Sequence, residues 1–122
     1  MTASLKGKTG LRRVLNATRY SIEGLAAAWK HEAAFRQEAM LAVVLVPVGL
    51  WLGRTGVEKA LLTGSVLAVL VVELLNSGVE AIVDRASPDI HELAKRAKDL
   101  GSAAVMVSIA ATCLVWFLVL AH

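Results

Sequence analysis

The sequence predicts an all-α membrane protein: three transmembrane helices preceded by an N-terminal amphipathic helix on the membrane surface. Three observations carry that expectation. Hydrophobic residues make up 57% of the 122 and mean hydropathy is +0.63, too apolar for an ordinary soluble domain. Gly101 to Ala121 holds no charge and is close to the ~20 residues that a ~30 Å hydrocarbon core requires. Met1 to Lys30, by contrast, is polar and basic with helical periodicity. A single domain is expected over 1–122, with the surface helix at about 9–30 and spans at about 32–53, 59–84 and 98–121.

In the first helix Leu11, Val14, Leu15, Ile22, Leu25 and Trp29 recur at helical spacing, while Arg12, Arg13, Asn16, Arg19 and Glu23 occupy the rest of the wheel. That pattern marks a helix lying in the membrane interface, where its basic face meets anionic headgroups or closes over a site. Gly24 is a candidate break. The segment lacks the charged-apolar-small pattern of a cleavable signal, so it is expected to persist in the mature protein. Ala39 to Gly53 is too short to span alone, so its helix must begin upstream in "HEAAFRQE", with Pro47 a candidate bend. Lys59 to Val83 forms the second run and Gly101 to Ala121 the third. Basic residues crowd the N-terminal segment and the connector Arg85 to Lys98, leaving Arg54 and Lys59 for the other side. The N-terminus is therefore expected to be cytoplasmic and the C-terminus periplasmic. Trp29 suits the inner aromatic belt, Trp51 and Trp116 the outer. Cys113 lies in an apolar run, and one cysteine cannot form an intramolecular disulfide.

The second run carries acids where lipid should be. Glu73, Asn76, Ser77, Glu80 and Asp84 fall within about a third of the helical wheel, a stripe that must face protein or water. At ~1.5 Å per residue, Glu80 is ~32 Å from Lys59 and Glu32 is ~33 Å from Arg54, a common depth. Asp99 and Lys98 come at ~35 and ~36 Å from His122, again at the cytoplasmic interface. Glu73, ~21 Å from Lys59, is deeper, where a carboxylate costs at least ~2.5 kcal/mol and is usually kept for function.

Carboxylates from two helices, Glu32 and Glu80, suit Mg²⁺, which takes one or two carboxylates plus phosphate oxygens and water. Lys98 would meet phosphate as a point charge, and Glu73, desolvated, would accept a hydroxyl proton. Together they fit phosphoryl transfer from a nucleotide to a lipid alcohol. No Walker loop, G-x-G-x-x-G, H-R-D or D-F-G is present, which excludes the common kinase architectures. A proton or ion transport subunit also needs an intramembrane acid, although the cytoplasmic Glu32, Glu80 and Lys98 favour a nucleotide site; a pure scaffold gives no reason to bury Glu73.

Three stretches carry a resemblance: "EAAFRQE" at 32–38, "VELLNSGVEAIVDR" at 72–85 and "HELAKRAKDLGSAAV" at 91–105. In order and spacing, from about Thr9 to Ala121, they resemble the small bacterial integral-membrane diacylglycerol kinase family. The resemblance implies a homotrimer of three-span chains in the bacterial inner membrane, with active sites shared between neighbours. It implies phosphorylation of diacylglycerol by MgATP to give phosphatidic acid, so the expected partners are ATP, Mg²⁺, the lipid and further copies of the chain, with no nucleic acid. Glu73 matches the family's proton acceptor, and Glu32 and Glu80 its metal-binding carboxylates, which also contact nucleotide. Lys98 and Asp99 match nucleotide contacts, Lys98 also being catalytic; Arg13, Tyr20, Asp89 and His91 fall where the family also touches nucleotide. Asn76 and Ser102 match polar residues near the reacting groups, Asn76 catalytic and Ser102 on the lipid side with Arg13, Ser21, Trp29, Arg36 and Glu73. Undecaprenol, the acceptor of related Gram-positive enzymes, is the nearest alternative, though "HEAAFRQE" and "KDLGSAAV" look closer to the diacylglycerol-using branch. Gly78 stands where alanine is more usual, and "ASPDI" departs from close relatives.

The remaining features have plainer readings. Ser87 and Pro88 read as N-cap and first-turn proline of a cytoplasmic helix, whose positive end suits Asp89 and Glu92. Glu92 is spaced to pair with Lys95 or Arg96. Glu80 and Asp84, near the interface, have Arg85 and Lys98 as candidate partners. Small residues at Gly64 to Ala68 and Gly101 to Ala104 offer surfaces for close helix approach.

Overall fold

A computed structural model describes the backbone of residues 3–86 and 91–121 and the side chains of 9–86 and 92–121. All regular structure among them is helical: α1 (Ala3–His31), α2 (Ala33–Leu52), α3 (Gly56–Ala86) and α4 (His91–Leu120). Helix is the expected answer for apolar sequence in lipid, because it satisfies every interior backbone N–H and C=O within one segment. The helices α2, α3 and α4 are each long and apolar enough to cross a membrane. Ser87, Pro88 and Asp89 lie outside the described residues. The helix α4 nevertheless runs unbroken from His91, so the "HELAKRAKDL" stretch and the charge-free span form one rod.

The chain forms two compact units, residues 1–33 and 34–122. In the first, α1 passes through Gly24 without a break. Gly24, the candidate break, keeps helical backbone with no positive φ, since a single glycine costs a helix only about 1 kcal/mol. Leu11, Val14, Leu15, Ile22 and Leu25 are exposed along α1. Arg19 reaches Glu23 at 3.9 Å and lies 5.3 Å over the Tyr20 ring. The hydroxyls of Thr18 and Ser21 donate to the carbonyls of Val14 and Ala17, one turn back.

In the second unit, α2 and α3 are joined by only Gly53, Arg54 and Thr55. Thr55 caps α3: its Oγ1 accepts the Glu58 amide at 3.1 Å, while Glu58 Oε1 accepts the Arg54 amide at 2.9 Å. This is a capping box shifted by one residue, satisfying amides that a helix start leaves orphaned. The turn is tight enough that a Cβ at Gly53 would come within 2.6 Å of Lys59 Cγ and 2.8 Å of its backbone nitrogen. Pro47 is accommodated inside α2.

From that turn α2 and α3 run antiparallel. Gly49 meets Leu62 and Thr63 near the turn, and Glu38 meets Glu73 further along, eleven residues away on each helix. At ~1.5 Å per residue the two helices keep register over about 16 Å. Phe35, Ala42, Leu62, Val66 and Val69 are the buried apolar side chains of this unit, with Leu62 wholly enclosed. The helix α4 packs back along α3, and Gly101 of α4 lies against Asn76 of α3. Two side chains of α4 also bond to main-chain oxygens of α3: Trp116 Nε1 donates to Leu62 O at 3.0 Å, and Thr112 Oγ1 to Ser65 O at 3.0 Å. Trp116, read from sequence as an anchor, is therefore also an interhelical clasp. Among the described residues Gly64 itself meets nothing within 4 Å, whereas Gly101 lies against Asn76. The outward side of α4 is apolar, with Met106, Val107, Leu114, Phe117 and Leu118 exposed.

Two substitutions test these fastenings. Thr55→Ala removes the cap acceptor and is expected to lower stability by about 1 kcal/mol. Trp116→Phe keeps an aromatic ring but loses both the indole N–H bond to Leu62 and part of the packing at Gly49, and is expected to lower stability by at least about 1 kcal/mol. Reversible unfolding in mixed micelles, followed by circular dichroism, measures both.

Candidate functional site

The stripe on α3 turns toward neighbouring helices, as its cost in lipid demands. Glu73 is 6% exposed, the single buried charged residue among those described. The group facing its carboxyl within hydrogen-bonding range is the Glu38 carboxyl of α2. Glu38 Oε2 is closed off from solvent and has no N–H or O–H donor. Glu38 also stands at the edge of an apolar cavity of about 220 Å³ between α2, α3 and α4, lined by Leu41, Leu45, Val66, Val69 and Ile109 among others.

One turn beyond Glu73, Asn76 is held between two helices. Its Nδ2 donates to Glu80 Oε1 at 3.0 Å, one turn along α3. Its buried Oδ1, which has no donor partner, rests against Gly101 of α4. A Cβ at position 101 would overlap that oxygen, so glycine is what lets the amide lie between the helices. Glu80 is thus an oriented carboxylate on the inner side of the stripe.

The next turn is open to solvent. Lys98 Nζ bonds Asp84 Oδ1 at 2.6 Å, across from α4 to α3, with both side chains about half exposed. Of its two candidate partners, Arg85 and Lys98, Asp84 therefore takes Lys98. Lys95 bonds Asp99 at 2.7 Å rather than Glu92. Asp99 comes four residues after Lys95, the helical spacing at which side chains meet. Lys98 and Asp99, adjacent in sequence, thus belong to two different ion pairs. Pairs this exposed are weakly bound and screened by salt, so an anionic ligand can displace the carboxylates.

The other expected site residues are distributed as follows. Arg13 and Tyr20 share one face of α1 with Asn16, bordering a shallow groove. Ser21 uses its proton on the Ala17 carbonyl, and Trp29 is about half exposed near the end of α1. Glu32 follows α1 with its amide bonded to Ala28 O, and all five belong to the first unit. In the second unit Arg36 is half-buried on α2 and Ser102 is exposed on α4, next to Gly101. The backbone of His91 opens α4, and Asp89 lies outside the described residues. Among the described residues no three acidic, histidine or cysteine side chains converge as a metal cage.

Sequence reasoning passed over Glu38, although it quoted the stretch that contains it. The available signal was its position: with α2 starting at Ala33, Glu38 is an acid inside a membrane-length helix, and such acids face a polar partner.

Comparison with known proteins agrees with this architecture. The family described as "Prokaryotic diacylglycerol kinase" matches residues 19–120. The chain is 50% identical over 115 residues to the diacylglycerol kinase of Pseudomonas aeruginosa, covering 94% of each chain. It is 48% identical over 108 residues to that of Haemophilus influenzae, covering 88% of this chain and 92% of the relative. With the diacylglycerol kinase of Escherichia coli strain K12 it shares 46% identity over 112 residues, covering 92% of each. A match of that extent, on a chain with three membrane-length helices, makes this a multi-pass bacterial membrane protein that belongs to the prokaryotic diacylglycerol kinase family.

Proposed function

We propose that the protein transfers the terminal phosphoryl group of ATP to the free hydroxyl of diacylglycerol, giving phosphatidic acid, at the cytoplasmic face of a bacterial inner membrane. The observation that carries this reading is Glu73: a carboxyl 6% exposed inside a membrane-length helix, in a chain whose relatives are named diacylglycerol kinases. A lipid alcohol brings its hydroxyl to that depth, and a carboxylate there is placed to take its proton.

In the proposed step Glu73 accepts the hydroxyl proton, the lipid oxygen bonds to the γ-phosphorus, and the bond from that phosphorus to its bridging oxygen breaks, releasing ADP. Lys98 exchanges Asp84 for a phosphate oxygen, which its half-exposed pairing permits. Asn76 keeps Glu80 aimed by the amide bond to Oε1. The donor set fits a hard divalent cation, since Mg²⁺ prefers one or two carboxylates and completes its shell with phosphate and water rather than with a protein cage. Glu80 with Glu32 would hold Mg²⁺, which when bound neutralises charge on the phosphates. Arg13, Tyr20, Asp89, His91 and Asp99 are assigned to the nucleotide, and Ser21, Trp29, Arg36 and Ser102 to the lipid.

The same reading makes residues 1–122 one lipid kinase domain, with α1 an amphipathic helix on the membrane surface, N-terminus in the cytoplasm and C-terminus in the periplasm. The exposed apolar residues of α1 support the surface role, and the basic residues before α2 and around α4's start support the orientation. A homotrimer with sites shared between chains is what the family resemblance implies, and the apolar outer side of α4 offers a surface on which neighbouring chains would pack.

Purified protein with MgATP and diacylglycerol in mixed micelles is expected to form phosphatidic acid, and to prefer that acceptor when undecaprenol competes. Glu73→Gln is expected to lower kcat by about 10²–10⁴-fold with the oligomer unchanged by gel filtration; an active Gln variant removes the assigned base. Gly101→Ala, whose Cβ overlaps Asn76 Oδ1, is expected to cut kcat by at least about tenfold while helical content holds, because Asn76 and Glu80 lose their aim.

A further inference from the structure

We infer that Glu38 is a positioning residue for phosphoryl transfer: the Glu38 and Glu73 carboxyls share one proton across the α2–α3 seam, and that bond aims Glu73 at the lipid hydroxyl. The inference rests on the reading of Glu73 as the base and adds what holds it.

The argument begins with donors. Two ionised carboxylates offer acceptors only, so carboxyls within hydrogen-bonding range form a bond only when one proton lies between them. Glu38 Oε2 has neither solvent nor another donor to turn to. Its surroundings reinforce this, since Leu41, Leu45, Val66 and Val69 line the adjoining cavity and two like charges against such walls are costly. One proton leaves the pair with a single negative charge, and an acid–carboxylate bond of this type is strong and directional. The register of α2 against α3, fixed near the turn by Gly49 against Leu62, brings the two groups to one level. Glu38 thereby limits the rotamers of Glu73, as outer partners do for groups that react or bind metal.

Two variants separate this from a packing role. Glu38→Gln keeps both a donor and an acceptor and is expected to retain kcat within about threefold. Glu38→Leu keeps bulk but loses the bond, and is expected to lower kcat by about tenfold to a hundredfold with KM for MgATP unchanged. An infrared band of a protonated carboxylic acid is expected in the unaltered protein at neutral pH and absent from Glu38→Gln. Wild-type kcat in Glu38→Leu, beside an inactive Glu73→Gln, overturns the inference and leaves the base standing. Activity in Glu73→Gln instead overturns the base, and this inference with it. Should Glu38→Leu fail to assemble, the Gln variant and the band decide: a Gln variant as inactive as Glu73→Gln, with no band in the unaltered protein, overturns the shared proton.

Discussion

A carboxyl group in hydrocarbon must be met by another polar group, and the arrangement of this chain follows from how Glu73 and the stripe below it are met. A charge at that depth costs at least ~2.5 kcal/mol if left to lipid. Three residues of the stripe therefore have a counterpart on a neighbour. Glu73 has Glu38 on α2, Asn76 has the bare backbone of Gly101 on α4, and Asp84 has Lys98. The stripe thus indexes both flanking helices to α3. Toward the other end the same register is kept by contact and main-chain bonds, with Gly49 against Leu62 and Trp116 and Thr112 on the carbonyls of Leu62 and Ser65.

The stripe is graded along its length. Its deepest member is enclosed, the middle pair of Asn76 and Glu80 is part-buried, and the ion pair of Asp84 with Lys98 is open to water. Electrostatic strength rises as water is excluded, so the enclosed end suits proton transfer and the open end suits capture and release of a charged ligand. This gradient matches a reaction whose two substrates approach from different phases, as the proposed chemistry requires.

The spans and the polar face were legible because both are periodic properties of a single helix: hydropathy fixes length, and angular spacing puts Glu73, Asn76, Glu80 and Asp84 on one side. What was not legible depends on pairing between helices. Glu38 belongs to the stretch upstream of Ala39 to Gly53 and carries no signal of its partner there; only the packing of α2 on α3 turns it to Glu73. Glu80 and Asp84 were both candidate partners of Lys98, and the approach of α4 to α3 selects Asp84. Gly64 and Gly101 read alike as small residues, yet one meets open space and the other an amide oxygen, a distinction set by the crossing of the helices. Gly24, marked as a break, is carried inside a 29-residue helix because one glycine costs only about 1 kcal/mol, which the rest of the helix offsets.

The three-residue connection between α2 and α3 has a mechanical consequence. Joined that closely, with Thr55 and Glu58 locking the start of α3, the two helices cannot slide past one another. A thinner or thicker bilayer, which tilts or shifts hydrophobic segments, therefore moves them as one body. The gap between the two facing acids is insulated from the lipid environment, so changes in membrane composition alter how far the hairpin dips without altering its internal spacing.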